Sequence, residues 1–491
     1  MTQVSLTSGM IQGTADGRVR RYLGVPYAAS PTGDLRFAKP QAYPAWPGVR
    51  DATAQGPIAP QPLPPDLDLG MDMEPLIGPT WDKGNDFLNL NIWAPDKAAI
   101  GLPVMVYIHG GSFIAGSNGS PILDGSAFAR SGVICMSMNY RMGVEGFVPI
   151  AGAPTNLGLR DMIFALEWIR DNAAAFGGDP ANVTIFGESA GAMAVGDLLA
   201  APAATGLFRR AIVQSGHGQM VRTISVTERL TRKLAKMLKV KPDLKGFRST
   251  TVEQCVKALE KVQVPTSGPD LRDAQKREPS FGLSKFLPLY GDDVLPQKPL
   301  DALASGASHD VDLLIGNNRD ELNLYLVPMG AGKKINKLLA WLALGRIWPH
   351  AGAMMKTYGG QGKKGGEILG DILTDMVFRW PSRVYAAAHR GRTHVYEFGW
   401  RSPALNDELG ASHGLELPFV FNTLQDCSGE RGFVGPNPPQ ALADHIHGLW
   451  VQFASDGTLP WPEFTTDSRQ VYRLEEGRAI AEPEMPAKRF W

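Results

Sequence analysis

Apolar residues along this chain fall into two alternating patterns. Nearly continuous runs such as Leu102-Pro-Val-Met-Val-Tyr-Ile108 and Gly132-Val-Ile-Cys-Met-Ser-Met138 read as buried strands. Val183-Thr-Ile-Phe186, Asp312-Leu-Leu-Ile315 and Thr393-His-Val-Tyr-Glu-Phe398 continue the series. From Leu159 to Phe176 the apolar positions are Leu159, Ile163, Leu166, Ile169, Ala173 and Phe176. Their spacing marks one face of an amphipathic helix. Strands alternating with helices predict an α/β protein.

Three stretches break the alternation. The segment Gln55 to Pro79 is rich in proline, Gln263 to Lys285 is polar and irregular, and Pro328 to Gly366 is glycine-rich and partly helical. They read as excursions from a sheet, giving one domain over residues 1–491 with insertions.

Composition narrows the function classes. The 491 residues carry 49 Lys+Arg against 49 Asp+Glu, a net charge of zero that excludes a nucleic-acid binder working through bulk charge. Cys135, Cys255 and Cys427 are too few and too scattered for a disulfide framework or a zinc site. No apolar stretch is long enough to span a bilayer, and the N-terminus lacks the basic and apolar regions of a secretory signal. Arg20-Arg21 imitates a twin-arginine signal, but Gly-Val-Pro-Tyr follows soon after it instead of an apolar segment. The expectation is a cytoplasmic protein with no membrane or nucleic-acid partner, a monomer or homodimer.

The most informative motif is Gly187-Glu188-Ser189-Ala190-Gly191, which follows a predicted strand and opens a small-residue helical run. That context suits a nucleophile elbow, where a serine on a strained turn projects from the sheet and flanking glycines relieve crowding. The helix beginning there points its positive end at developing negative charge. A serine needs a base, the base needs an orienting carboxylate, and the oxyanion needs donors. His109-Gly110-Gly111-Ser112-Phe113 directly follows the strand ending at Ile108, and a glycine-rich turn there leaves backbone N–H groups exposed. The acid and base should come later, in that order. Asp320 and Glu321 follow the strand Asp312–Ile315 and are not separable on these grounds. His350, His389, His394, His413, His445 and His447 all satisfy the order. His413 lies in a small-residue loop, whereas His394 falls within a strand and His445 and His447 within a helical pattern.

These residues resemble the type-B carboxylesterases, the family of para-nitrobenzyl esterases, mammalian carboxylesterases and cholinesterases. The likeness runs along nearly the whole chain. It includes Tyr22-Leu-Gly-Val-Pro-Tyr-Ala28, Asp86-Phe-Leu-Asn-Leu-Asn-Ile92, Asn139-Tyr-Arg-Met-Gly143, Phe176-Gly-Gly-Asp-Pro180, the elbow, Ala211-Ile-Val-Gln-Ser-Gly216, Arg319-Asp-Glu321 and His413-Gly-Leu-Glu-Leu-Pro-Phe419. The resemblance implies an α/β-hydrolase fold, a mostly parallel twisted sheet flanked by helices, with insertions around the active-site entrance. It implies Ser189 as nucleophile, Glu321 as acid and His413 as base, with oxyanion donors at Gly111, Ser112 and Ala190. Ser215, Glu188 and Gly110 are expected to support these groups.

Three departures stand out. Ser112 replaces a usual Gly or Ala, and Leu322 replaces the Gly that follows the acid, which brings the turn at Glu321 into question. The cysteines of the family's N-terminal disulfide are Ala59 and Phe87 here, which fits a reducing compartment. The implied activity is hydrolysis of a small-molecule carboxylic ester through an acyl-enzyme, on a xenobiotic or natural product, without metal or cofactor. Carbamates and amides suit the same machinery. A non-catalytic cholinesterase-like module would have lost the nucleophile. Arg141, Arg319 and Arg379 could select an acidic ester or could form structural ion pairs, and the aromatic residues could line a gorge or fill the core.

Overall fold

A computed structural model describes residues 1–64, 68–97, 99–264 and 267–491. Residues 65–67 and 265–266, inside two of the predicted loops, lie outside the described residues.

The strands in chain order are β1 (Thr2–Leu6), β2 (Gly9–Ala15), β3 (Val19–Pro26), β4 (Val49–Asp51), β5 (Asn89–Pro95), β6 (Leu102–Ile108), β7 (Ile134–Met138) and β8 (Gly178–Glu188). They continue with β9 (Arg210–Gln214), β10 (Arg222–Thr223), β11 (Leu289–Tyr290), β12 (Asp312–Asn318), β13 (Thr393–Phe398), β14 (Gln470–Arg473) and β15 (Arg478–Ala481). The main sheet runs β1-β2-β3-β5-β7-β6-β8-β9-β12-β13-β14-β15, with β4 paired to β2. From β7 to β14 every neighbouring pair is parallel, whereas β1, β2, β3 and β5 form an antiparallel extension.

The central strands are nearly continuous apolar runs because both faces are covered. Along β6, Val104, Val106 and Ile108 enter one core while Met105 and Tyr107 enter the other. Helices Leu157–Asn172, Ala190–Leu199 and Gln440–Asp456 occupy crossovers between parallel strands. The expected helix over Leu159 to Phe176 is observed as Leu157–Asn172 followed by a 3₁₀ turn, Ala173–Phe176. Because β6, β8, β9 and β12 run the same way, His109, Ser189, Ser215 and Glu321 all emerge at one edge, where open α/β sheets bind ligands.

Candidate active site

Ser189 stands between β8 and the helix Ala190–Leu199 with φ 57° and ψ −124°, a conformation that L-residues rarely adopt. The glycines on either side permit it. A Cβ at Gly191 would overlap the Ile108 carbonyl oxygen, and one at Gly187 would sit 2.7 Å from that same oxygen. At Gly110 a Cβ would lie 2.8 Å from Glu188 Oε2 and 3.1 Å from the Ser189 side chain, so its absence brings the glycine-rich loop against the elbow.

That loop is held by its carbonyls. Tyr140 Oη donates to His109 O at 2.8 Å, Ile114 and Ala115 N–H donate to Gly111 O, Ser284 Oγ donates to Ser112 O at 2.7 Å, and Gly143 N–H donates to Phe113 O at 2.7 Å. The N–H groups of Gly111, Ser112 and Ala190 donate to no acceptor among the described residues. Ser112 has φ 57°, a left-handed value that explains why Gly suits this position and that Ser tolerates at modest cost. His109 stacks on Tyr140 and donates through Nδ1 to Gly110 O, and burial lowers its pKa to about 4.

The expected acid and base arrive on two loops zipped together. Asp320 N–H donates to Ala411 O, Ala411 N–H donates to Asp320 Oδ2, His413 N–H donates to Glu321 O, and Asn318 Nδ2 donates to Ser412 O. Glu321 is fully buried. Its Oε2 lies 2.6 Å from His413 Nδ1 and its Oε1 accepts from Asn318 N–H at 2.7 Å. Asp320 faces the other way and pairs with Arg401 at 2.7 Å, so the two adjacent acids are distinguished by position. Leu322 has φ −72°, open to any L-residue, and its N–H donates to Thr374 Oγ1, so the missing glycine leaves the turn intact. Thr374 begins a π-helical turn, Thr374–Arg379, that carries Phe378 to 4.9 Å from the His413 ring.

His413 Nε2 has no aligned hydrogen-bond partner among the described residues, and Ser189 does not donate to it here. Glu188 Oε1 lies 3.1 Å away but off the direction a hydrogen bond needs. Burial disfavours the imidazolium, yet Glu188 and Glu321 outweigh it and raise His413 to about 9. Burial in turn raises Glu188 to about 8, and the two groups, 3.1 Å apart, titrate as a coupled pair. Glu416 was quoted only as part of a motif, but the structure makes it a third buried acid. It accepts from Asn318 Nδ2 at 2.5 Å and Gln214 Nε2 at 3.2 Å, and burial holds it at about 7. An acid inside the apolar run Leu415-Glu-Leu417 was the available signal.

Ser189, His413 and Glu188 open on a cavity of about 200 Å³ whose other walls include Ile77, Ile122, Leu324 and Leu417. Tyr107 and Tyr325 join these aliphatic side chains in the lining, and most other aromatic residues pack elsewhere in the core. Arg141 pairs with Asp161, Arg319 with Glu397 and Glu475, and Arg379 with Asp375 and Glu397, so all three arginines serve ion pairs. Ser215 is buried behind the elbow, where its N–H donates to Gly316 O and its hydroxyl has no partner among the described residues. The other histidines lie apart from this cavity: His394 sits in β13, His445 and His447 in the helix Gln440–Asp456, His389 bonds Thr393 and Ser308, and His350 is exposed.

One acid near the elbow escaped the reading of the chain. Asp197, in the helix Ala190–Leu199, is buried with neither oxygen hydrogen-bonded among the described residues. Burial pushes its carboxyl well above the ordinary range, so the folded protein holds it neutral while the unfolded chain ionises it above about pH 4. The unfolded state therefore sheds this proton first, and stability falls as pH rises beyond that point. Asp197→Asn is expected to gain about 1–3 kcal/mol at pH 8 and less at pH 5. Thermal melts at both pH values check this, and an equal loss at each would refute it.

Among the described residues no cluster of His, Cys, Asp and Glu could hold a metal ion, and no helix is long and apolar enough to cross a membrane. All three cysteines are free and buried.

Known proteins share this arrangement of chain. The model of the carboxylesterase family matches residues 1–491. The chain is 34% identical to para-nitrobenzyl esterase of Bacillus subtilis (strain 168), over 99% of this chain and 97% of that one. It is 32% identical to phenmedipham hydrolase of Pseudarthrobacter oxydans, over 97% and 95%. A solved PNB esterase superposes with a TM-score of 0.84 at 31% identity, covering 99% of this chain and 98% of that one.

Proposed function

The chain belongs to the carboxylesterase family, a carboxylic ester hydrolase of the α/β-hydrolase fold, and on that premise we propose that Ser189, His413 and Glu321 carry its reaction. The supporting observation is the 2.6 Å contact between Glu321 Oε2 and His413 Nδ1 at the wall of the cavity that Ser189 enters. Neutral His413 takes the Ser189 proton at Nε2 as Oγ attacks the ester carbonyl, while Glu321 keeps the other proton on Nδ1 and stabilises the imidazolium. The N–H groups of Gly111, Ser112 and Ala190 receive the tetrahedral oxyanion. His413 then protonates the departing alcohol, water attacks the acyl-enzyme through the same base, and the acid leaves. A Ser–His hydrogen bond that is not yet made is common before substrate binds.

The apolar side chains in the cavity wall and the ion-paired arginines favour an uncharged ester with modest apolar groups. A p-nitrophenyl ester series from acetate to decanoate, with organophosphate labelling mapped by mass spectrometry, tests the reading. Turnover should disappear in step with labelling of Ser189. Turnover that survives full labelling of Ser189 overturns it. A matched carbamate and amide in the panel define the bond preference.

The raised His413 pKa also predicts a pH profile. The base must be neutral, so kcat/KM should climb through an alkaline acid limb. Glu188→Gln removes the largest charge raising that pKa and should move the limb to lower pH by about one unit. A limb that stays in place would show that Glu188 does not tune the base.

A further inference from the structure

Between Glu321 and Glu367 the chain has no Asp or Glu, yet it carries Lys333, Lys334, Lys337, Arg346, Lys356, Lys363 and Lys364. All seven are exposed. The centre of this stretch is the helix Lys337–Gly345, started by Asn336, whose side chain accepts from Leu339 N–H. Ala340 and Leu344 pack inward. The opposite face is apolar and uncovered, with Leu338 62% exposed, Leu339 51%, Trp341 46% and Leu342 47%. Scattered apolar side chains are ordinary on a surface, but four large ones within two turns form a patch.

The basic residues gather around that patch. Lys334 and Lys337 lie at the start of the helix and Arg346 at its end. A Cβ at Gly365 would overlap the Asn336 backbone, which puts Lys364 beside the helix start. Glu408 pairs with Lys333 and Asp371 with Lys363, while Glu367 caps its own helix. Lys334, Lys337, Arg346, Lys356 and Lys364 have no ion-pair partner among the described residues.

We propose that this face docks the enzyme on an anionic phospholipid surface, with Leu338, Leu339, Trp341 and Leu342 entering the headgroup boundary and the lysines and arginine meeting lipid phosphates. Exposed leucine and tryptophan suit the headgroup boundary, and the long cationic side chains beside them can reach back to the headgroups. The charge argues against a second copy, because pairing two such faces would bring like charges together. Such surface association needs no spanning helix, and none occurs among the described residues, though it departs from the expectation of no membrane partner. Leu324 and Tyr325, which line the cavity at Ser189, belong to the same acid-free stretch, ahead of Lys333 and the helix Lys337–Gly345.

The test is co-sedimentation of the full chain with vesicles of phosphatidylcholine alone or mixed with phosphatidylglycerol, at low and high salt. Binding is read without turnover, so its failure is distinct from failure of the catalytic assignment. Binding should require phosphatidylglycerol and weaken with salt. Leu338→Glu/Trp341→Glu, and separately Lys334→Glu/Lys337→Glu, should each lower partitioning about tenfold or more. Both variants should keep wild-type turnover of a soluble p-nitrophenyl ester, which shows that they fold. No binding, equal binding to both vesicle types, or a wild-type dimer dissolved by the apolar variant without vesicle binding would each overturn the proposal.

Discussion

Ser189→Ala is expected to lower kcat on the order of 10⁶-fold while leaving the melting temperature unchanged. The loss is large because the serine oxygen is the bonding atom of the proposed acyl-enzyme. The fold should persist because alanine has the same Cβ, so the strain at φ 57° and ψ −124° neither grows nor relaxes. Ser189→Gly makes the complementary case. It removes the same oxygen but also the Cβ, and should be equally inactive yet about 1 kcal/mol more stable. Initial rates and thermal melts of the pair separate lost chemistry from lost structure. Residual turnover above a hundredth of wild type in purified Ser189→Ala would rule out the assigned nucleophile.

Glu321→Gln should cost about 10⁴-fold in kcat. Glutamine has nearly the shape of glutamate, but it carries no charge to stabilise imidazolium. Its amide also presents a donor to His413 or to Asn318 N–H, both of which donate to the carboxylate at present. Asp320→Asn supplies the control. Asp320 bonds Arg401 and the Ala411 N–H rather than the imidazole, so its amide should cost less than about tenfold. A larger loss at Asp320 than at Glu321 would reverse the assignment that chain order alone left open.

The chain reveals its parallel strands better than its edges. Leu102–Ile108 and Thr393–Phe398 are observed with the predicted ends; the first is an apolar run, and the second is buried along its whole length although it carries Thr393, His394 and Glu397. The strand predicted at Val183–Phe186 extends over Gly178–Glu188, since its first residues are polar and solvated. The strands not foreseen include β1, β2 and β4, which no continuous apolar run marks, and the central β9, whose short Ala-Ile-Val run is bounded by Arg210 and Gln214. The elbow was legible because its constraint is local: two glycines, a serine, a strand before and a helix after. The acid and base were legible only as candidates, since their pairing depends on hydrogen bonds between loops some ninety positions apart. Asp197 was hidden for a similar reason. One acid in an apolar helix can turn to solvent, and only the packed helix shows that this one does not.

The glycine-rich loop and the elbow follow strands paired directly with each other, whereas the acid and base loops belong to the last half of the chain. At about 5–20 residues per second of synthesis, the elbow would leave the ribosome tens of seconds before His413. In that interval the open edge of β9 still awaits β12. The nascent chain would thus carry the proposed nucleophile through about 220 residues of synthesis before its proposed base is made, so the site could not act during that interval.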